Sequence, residues 1–417
     1  MCVRPRTGGH EGRAGSSDEP VEFSAATKDD ATPMRQRPLS IALGGMCAMA
    51  VGMGIGRFVY TPILPIMAED LALSQGETGL IASANFLGYL IGALLAASRN
   101  LPGARRSWLI AALGANALGM AVMGLSESLW YFLLVRFLGG IASAFILVFA
   151  SALVLDVLAN ARRGAMSSVH FAGVGAGIAV SALAVGLTGQ LEPGWTIQWQ
   201  VSAALAVLGA GAAVVLIPRA GASVQASCAP ASRRLAPGLV KLIAAYGLFG
   251  FGYIITATFI VAIVRSHAEI APLEPVIWIA VGLVAAPSVA LWAWAGGRIG
   301  VRRAFALACL VEAVGVVASV LWLTKTGALF GAVLLGGTFM GITALGLVAA
   351  RGLTRGDARR SLGLMTAAFG LGQIIGPSFA GFVHDVTGSF VLPSLAAAAA
   401  LCVAAGLTAS PRPAPRT

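Results

Sequence analysis

The sequence predicts an all-α integral membrane protein with twelve transmembrane helices in two pseudo-symmetric six-helix bundles. Three observations lead to this prediction. Of the 417 residues, 58% are hydrophobic and only 11% are charged, whereas soluble domains average roughly 45–50% and 25%. The chain contains twelve apolar runs, each close to the ~20 residues that a helix needs to cross a bilayer. Short motifs in the first six runs recur 196 or 197 positions later in the last six.

The apolar runs begin after a polar segment, residues 1–37, which lacks periodicity and is predicted to be a disordered tail. Met34 is an alternative start that would leave only a short basic lead before the first run. The twelve predicted spans are 39–67, 78–98, 107–125, 129–154, 165–189, 198–217, 238–264, 276–296, 304–324, 328–350, 362–384 and 390–409.

One longer polar segment, 218–237, divides the spans six and six and is predicted to link two bundles, 38–217 and 238–409, with a tail at 410–417. The repeat is visible where Arg105-Arg106 corresponds to Arg302-Arg303. Because each half has an even number of spans, the halves are parallel repeats related by an axis along the membrane normal.

The distribution of basic residues predicts the orientation. Nearly all of the 28 lysine and arginine residues fall in tails and loops on one side of the predicted membrane, and Arg265 and Lys325 stand on the other. Loops rich in lysine and arginine remain in the cytoplasm. We therefore expect a multi-pass protein of the cell (inner) membrane with both termini cytoplasmic.

Several other classes of protein are disfavoured. The net charge of +11 would suggest a nucleic-acid partner in a soluble protein, but here the charges follow the topology, so no nucleic acid is expected. The five cysteines are scattered without a CxxC or Cys/His cluster, so we predict neither a metal site nor a cofactor. No HExxH, GxSxG or phosphate-binding loop indicates an enzyme.

Two arginines lie inside predicted spans, Arg57 in the first and Arg136 in the fourth. An arginine near mid-membrane costs about 2.5–3.5 kcal/mol on insertion scales, so each should face protein or a water-filled cavity. The predicted spans put both at one depth, roughly 10–12 Å below the outer surface. Together they would attract an anion; alternatively, each snorkels outward or binds backbone carbonyls.

Other polar side chains within spans complete a candidate substrate cavity, or else form ordinary interhelical hydrogen bonds. Tyr253 occupies the position in the second half that Arg57 occupies in the first, and the further candidates are Tyr60, Asn85, Tyr89, Thr256 and Gln373. Proton coupling would need a titratable group within the membrane, and the candidates are His170 and Glu312.

The loop AGGRIGVRR at 295–303 resembles the GxxxDRxGRR signature of the major facilitator superfamily (MFS), with Gly297 in place of the acid, and RNLPGARR at 99–106 is a weaker copy. The segments GIGRFVYTPILPIM and YGLFGFGYIITATF are similar to the YbfB/YjiJ-type branch. The resemblance covers roughly residues 38–410. It implies the MFS fold and cytoplasmic gate loops containing Arg105, Arg106, Arg298, Arg302 and Arg303.

These features predict a monomeric secondary transporter that moves a small organic solute by alternating access. Proton-coupled efflux is the leading hypothesis, and the arginines favour an anionic solute. An uncoupled facilitator or a proton-coupled uptake symporter is the alternative within transport. A membrane enzyme or a non-transporting sensor is disfavoured, since neither catalytic motifs nor a soluble output domain are found.

Overall fold

The computed structural model describes residues 38–98, 101–191, 194–217, 236–354 and 358–409. The predicted tails and most of the predicted linker lie outside these residues. The described chain is almost entirely helical, and twelve of its helices are long and apolar enough to cross a membrane. In chain order, α1 to α12 are Pro38–Asp70, Gln75–Ala96, Arg105–Leu125, Leu129–Asn160, Gly164–Leu191, Trp195–Leu216, Pro237–Arg265, Ala271–Ile299, Val301–Leu321, Lys325–Leu353, Arg360–Thr387 and Val391–Ala409.

All twelve predicted spans are confirmed as helices, with ends that differ by a few residues. Most helices are longer than the apolar runs that predicted them, because helical backbone continues into flanking polar and charged residues, as at Glu69 and Asp70 of α1. Membrane helices can continue into the interface in this way, since the backbone hydrogen bonds do not depend on the side chains.

The helices pack as two equivalent bundles of six. Within the first, α2 contacts α4, α1 contacts α5 and α6, and α3 contacts α4 and α6. The second repeats the pattern six helices later: α8 with α10, α7 with α11 and α12, and α9 with α10 and α12. The principal contacts between the bundles are α2 with α11 and α5 with α8, a pair that the same six-helix shift exchanges.

The molecule has two ends, which we name by the chain segments found there. The terminal face is where α1 begins at Pro38 and α12 ends at Ala409, and the turn face carries the Leu71–Ser74 turn between α1 and α2. At the turn face and just below it, glycine permits close contact between bundles. A Cβ atom added at Gly79 of α2 would lie 2.3 Å from the Pro377 carbonyl oxygen of α11.

Helix α1 is interrupted in the middle. It is α-helical over Pro38–Met49, π-helical over Ala50–Ile55, and α-helical again from Tyr60 to Asp70 after a short turn. Pro62 has no backbone N–H, and its ring crowds the carbonyl four residues earlier. Consistent with this, the Thr61 N–H donates to the Phe58 carbonyl, three residues back, and not to that of Arg57. The interruption leaves carbonyls that need another donor.

Candidate functional site

Arg57 lies at the interruption of α1 and is buried, with 3% of its surface exposed. Its guanidinium carbon is 4.5 Å from the ring centres of Phe86 and Tyr89, and 5.5 Å from that of Phe58. These distances are in the range of cation–π contacts. Nε and Nη2 have no hydrogen-bond partner in the described structure. A buried cation with open donors is costly, so this arrangement favours binding of an anionic group.

Arg136 of α4 has a different environment. Its Nη1 donates to the Gly56 carbonyl and its Nη2 to the Arg57 carbonyl, each at 3.0 Å. These are carbonyls of the interruption in α1, so Arg136 supplies donors that the helix itself does not. The Arg136 side chain therefore contacts the backbone of Arg57, so the two arginines are neighbours, but their guanidinium groups have different partners. The geometry favours the carbonyl-binding alternative for Arg136 and leaves Arg57 as the guanidinium available to a solute.

Two other candidates in the first bundle also make interhelical hydrogen bonds. The Tyr60 hydroxyl donates to the Thr78 carbonyl at 3.0 Å, and Asn85 Nδ2 donates to the Arg136 carbonyl at 2.9 Å. Both bonds join α2 to its neighbours near the same interruption. Tyr89 contributes its ring to the box around Arg57, and its hydroxyl interacts with the same guanidinium.

Tyr253 of α7 forms the matching part of the second bundle. Its ring lies between those of Phe339 and Phe369, with centroids 5.8 Å away on each side and planes nearly parallel. Its hydroxyl accepts a hydrogen bond from Gln373 Nε2. Phe339 also packs edge-on against Phe58 at 5.9 Å. Through this contact, the box around Arg57 and the rings around Tyr253 form one continuous cluster across the bundles, which we call the aromatic cluster.

Two more candidates in the second bundle have unused hydrogen-bonding capacity. Thr256 Oγ1 and Gln373 Oε1 are buried without a partner in the described structure. Thr256 follows Tyr246, Phe249 and Tyr253 at helical spacing along α7, so the four lie on one side of that helix. The structure thus provides acceptors and donors on one bundle and a cation on the other.

The phenylalanines of the aromatic cluster were not predicted from the sequence. Phe58, Phe86, Phe339 and Phe369 stand on α1, α2, α10 and α11, and phenylalanine is too common in apolar runs to be distinctive. The spacing of Tyr246, Phe249 and Tyr253 on α7 is the one sequence signal that indicates an aromatic helix face.

The two candidates for proton coupling differ in their surroundings. His170 is buried on α5, and its Nε2 lies 3.0 Å from Ser151 Oγ. Glu312 is also buried, on α9, and both of its carboxyl oxygens lack a hydrogen-bond partner in the described structure. The Glu312 side chain points into protein, since none of its surface is exposed. Glu312 is therefore the less satisfied of the two groups.

The basic residues of the predicted gate loops lie at the terminal face. Arg106 Nη2 donates to the Val214 carbonyl at the end of α6 at 2.6 Å, and Arg302 Nη2 donates to the Thr408 carbonyl at the end of α12 at 3.0 Å. Arginine at helix carboxyl ends satisfies free carbonyls and the helix dipole. Two others make side-chain contacts: Arg105 Nη1 lies 3.6 Å from Asp156 Oδ2, and the Arg298 guanidinium lies over the Trp294 ring. Arg303 is exposed.

Polar contacts join the two bundles at the turn face. Arg265 of α7 pairs with Glu69 of α1, and also with Glu274 of its own bundle at 3.0 Å. Asp385 of α11 accepts from the backbone N–H groups of Gln75 and Gly76, at 2.9 and 2.8 Å. These N–H groups belong to the first turn of α2, where a helix lacks internal acceptors. We call these two contacts the turn-face latch.

Within the described ranges, no three His, Cys, Asp or Glu side chains come together as metal ligands.

The solved structures that resemble this chain include transporters. Among solved structures, it resembles a point mutant of the nucleoside transporter NupG (TM-score 0.70, 14% identity, covering 89% of this chain and 98% of that one). It also resembles NupG itself (TM-score 0.66, 15% identity, covering 89% of this chain and 98% of that one). A third similar structure is that of a bacterial homologue of the human lysosomal transporter Spinster, in its inward-facing and unoccupied conformation (TM-score 0.65, 15% identity, covering 90% of this chain and 97% of that one).

No curated protein matches the sequence. A family model, described as "Uncharacterised MFS-type transporter YbfB", matches residues 49–409. That range includes Arg57, the aromatic cluster and the turn-face latch. The chain therefore belongs to the YbfB-type family of the major facilitator superfamily and is a transporter.

Proposed function

We propose that this transporter carries a small organic anion, bound by Arg57 at the contact between the bundles. The observation that supports this most directly is the buried Arg57 guanidinium, whose Nε and Nη2 find no partner in the part of the chain that the structure describes. A carboxylate is the usual partner of such a fork of donors. The aromatic cluster would contact the apolar part of the solute, and Thr256 and Gln373 would orient its polar groups.

The solute would cross by alternating access, with the bundles rocking about this site. The positive-inside bias of the sequence supports a cytoplasmic terminal face in the cell (inner) membrane. The turn-face latch then closes the outer side, and it must open in each cycle. We propose efflux coupled to proton entry, with an uptake symporter and an uncoupled facilitator as the alternatives.

The first experiment measures transport by the protein in liposomes. The panel contains aromatic and aliphatic carboxylates, together with nucleosides as neutral solutes because one structural neighbour is a nucleoside transporter. We expect a carboxylate to be carried by the wild type and by Arg57→Lys at reduced affinity, but about 100-fold less well by Arg57→Gln, since loss of a buried charged pair costs about 2–5 kcal/mol. Arg163→Gln, at an exposed position outside the predicted site and gate loops, is the matched control.

If Arg57→Gln carries the same anion unchanged, or if only neutral solutes are carried, the anion proposal fails. Thermal unfolding of each variant shows whether it is folded, so that loss of transport is not confused with loss of the folded protein.

Proton coupling is tested separately, and Glu312 is the group that we propose carries the proton. A carboxyl without a partner inside the protein is favoured when neutral, and its deprotonation would have to coincide with a conformational change. We expect Glu312→Gln to retain exchange of labelled for unlabelled solute but to lose the response to a pH gradient. His170→Gln should keep the response, since one ring nitrogen of His170 is bonded to Ser151, whereas both carboxyl oxygens of Glu312 lack a partner among the described residues. A wild type without any response would establish the facilitator.

A further inference from the structure

A long apolar groove runs between α3 and α4, apart from the contact between the bundles. Its volume is about 450 Å³, and small residues form its floor, including Ala111, Ala115 and Gly119 of α3 and Gly139 of α4. The α3 residues that line it extend from Trp108 to Val122, or ~21 Å at 1.5 Å per residue. We call it the α3–α4 groove. Such a length accommodates one extended hydrocarbon chain.

A small cavity lies next to the groove, deeper in the first bundle, and three polar residues line it together with apolar ones. This cavity has a volume of about 10 Å³ and shares Gly119, Val135 and Gly139 with the groove. Its other lining residues include Asn116, Arg136 and Trp199. The volume accepts a single atom of the size of a water oxygen. It lies toward the turn-face end of the groove, so a polar head there would leave the chain running toward the middle of the membrane.

The three polar residues of this cavity each have an unused atom. Asn116 Oδ1, Arg136 Nε and Trp199 Nε1 have no hydrogen-bond partner in the described structure, and the exposed fractions of the side chains are 2%, 4% and 0%. Two of these atoms are N–H donors, and one belongs to a cation. Asn116 Nδ2 donates to Ser143 Oγ at 3.0 Å. Since a hydroxyl also donates, rotation of the amide would keep that bond and turn an N–H toward the cavity.

From this geometry we propose a second binding site, one that takes a long-chain fatty acid from the bilayer. The hydrocarbon chain lies in the α3–α4 groove, and one carboxylate oxygen enters the cavity and accepts from Arg136 Nε and Trp199 Nε1. The carboxylate complements the positive charge, and the groove shields the chain. The site goes beyond the proposed solute pathway because its occupant enters sideways, between two helices of one bundle. It also touches Arg136, which holds the interruption of α1.

The test compares binding of radiolabelled palmitate and of hexadecanol, its uncharged analogue, to the purified full-length protein. Trp199→Phe keeps a ring and removes the N–H donor, so palmitate should bind about tenfold more weakly, the usual loss for a bond to a charged group. Hexadecanol binding should fall by clearly less, because its hydroxyl accepts the same N–H without a charge. Ala115→Phe fills the groove and should abolish binding of both. Gly114→Phe is the matched control on α3, because a Cβ atom there meets no other atom within 4 Å.

Unchanged palmitate binding in Ala115→Phe would overturn the proposal, and so would an equal loss of palmitate and hexadecanol in Trp199→Phe. If Trp199→Phe does not fold, the pair Ala115→Phe and Gly114→Phe still decides. Arg57→Gln separates the two sites: palmitate binding should persist in this variant, whereas its loss would place the fatty acid at the central site instead.

Discussion

The guanidinium of arginine has five N–H donors, and the two buried arginines use theirs differently. Arg136 spends two nitrogens on backbone carbonyls of α1, so it takes part in the fold. Arg57 has two nitrogens without a partner among the described residues, and aromatic rings surround it. An arginine costs a membrane helix several kcal/mol; backbone carbonyls offset this cost for Arg136, whereas Arg57 has cation–π contacts in their place.

The difference gives a prediction about stability. Arg136→Gln leaves the Gly56 and Arg57 carbonyls buried without their donors, at about 1–3 kcal/mol each. We expect the free energy of unfolding of this variant to be about 2–5 kcal/mol lower than that of the wild type. Arg57→Gln should cost less, about 1–2 kcal/mol, because it loses cation–π contacts but leaves no backbone carbonyl without its donor. Unfolding in detergent measures both. Equal losses in the two variants would contradict the division of roles.

The sequence identified both arginines by their unusual place in apolar runs, and it identified Tyr253 through the repeat. It did not assign their roles. Which arginine meets carbonyls depends on where α1 departs from α-helical hydrogen bonding, and the π-helical turn at Ala50–Ile55 lies before Pro62, the residue that would be expected to break the helix. The aromatic cluster was missed because its rings come from several helices and meet only after folding.

At the scale of the helices, composition and length were sufficient to find all twelve spans. Apolar runs of this length have few other stable structures in a bilayer. The contacts between helices were harder to predict from the sequence, since they depend on which glycine packs against the backbone of a neighbouring helix. Gly381 of α11 is an example: a Cβ atom added there would lie 2.0 Å from the Gln75 carbonyl oxygen of α2.

This contact predicts how a single methyl group would change the turn face. Gly381→Ala forces α2 and α11 apart at the point where Asp385 receives the first N–H groups of α2. Overpacking of this kind costs typically about 1–3 kcal/mol, and here the strain falls on the state in which the turn face is closed. Hydrogen exchange should therefore rise in the first turn of α2. Gly114→Ala, in open space on α3, should leave exchange unchanged; a similar rise there would refute the explanation.

The whole molecule is built on an approximate twofold repeat. Arg106 and Arg302 show it at the level of single side chains, since each stands in the first turn of its helix and donates to the last carbonyls of the final helix in its own bundle. The sequence revealed the repeat through the basic pairs, but their shared offset aligns Arg302 with Arg105, one residue away from the structural match of Arg302 with Arg106. It did not reveal the turn-face latch, because the latch residues differ in chemistry between the halves. Arg265 of the second bundle stands 196 positions after Glu69 of the first, at the matching place in the repeat, and pairs with it.

The two parts of the turn-face latch should contribute unequally. Arg265 and Glu69 are partly exposed, and exposed ion pairs are worth about 0–1 kcal/mol. Asp385 instead accepts two backbone N–H groups at a helix amino end, where hydrogen bonds to a charged group are worth about 1.5–3 kcal/mol each and the helix dipole adds to them.

Asp385→Asn should therefore open the turn face more than Glu69→Gln does. Distances between spin labels at positions 72 and 268, one in each bundle, measure the opening in lipid nanodiscs. The effect of Glu69→Gln should also shrink as salt is added, because the Debye length falls to about 3 Å at 1 M, whereas that of Asp385→Asn should persist. Glu127→Gln, an exposed acid outside the latch, is the control. If Glu69→Gln opens the face more than Asp385→Asn, the ion pair and not the capped helix holds the bundles together.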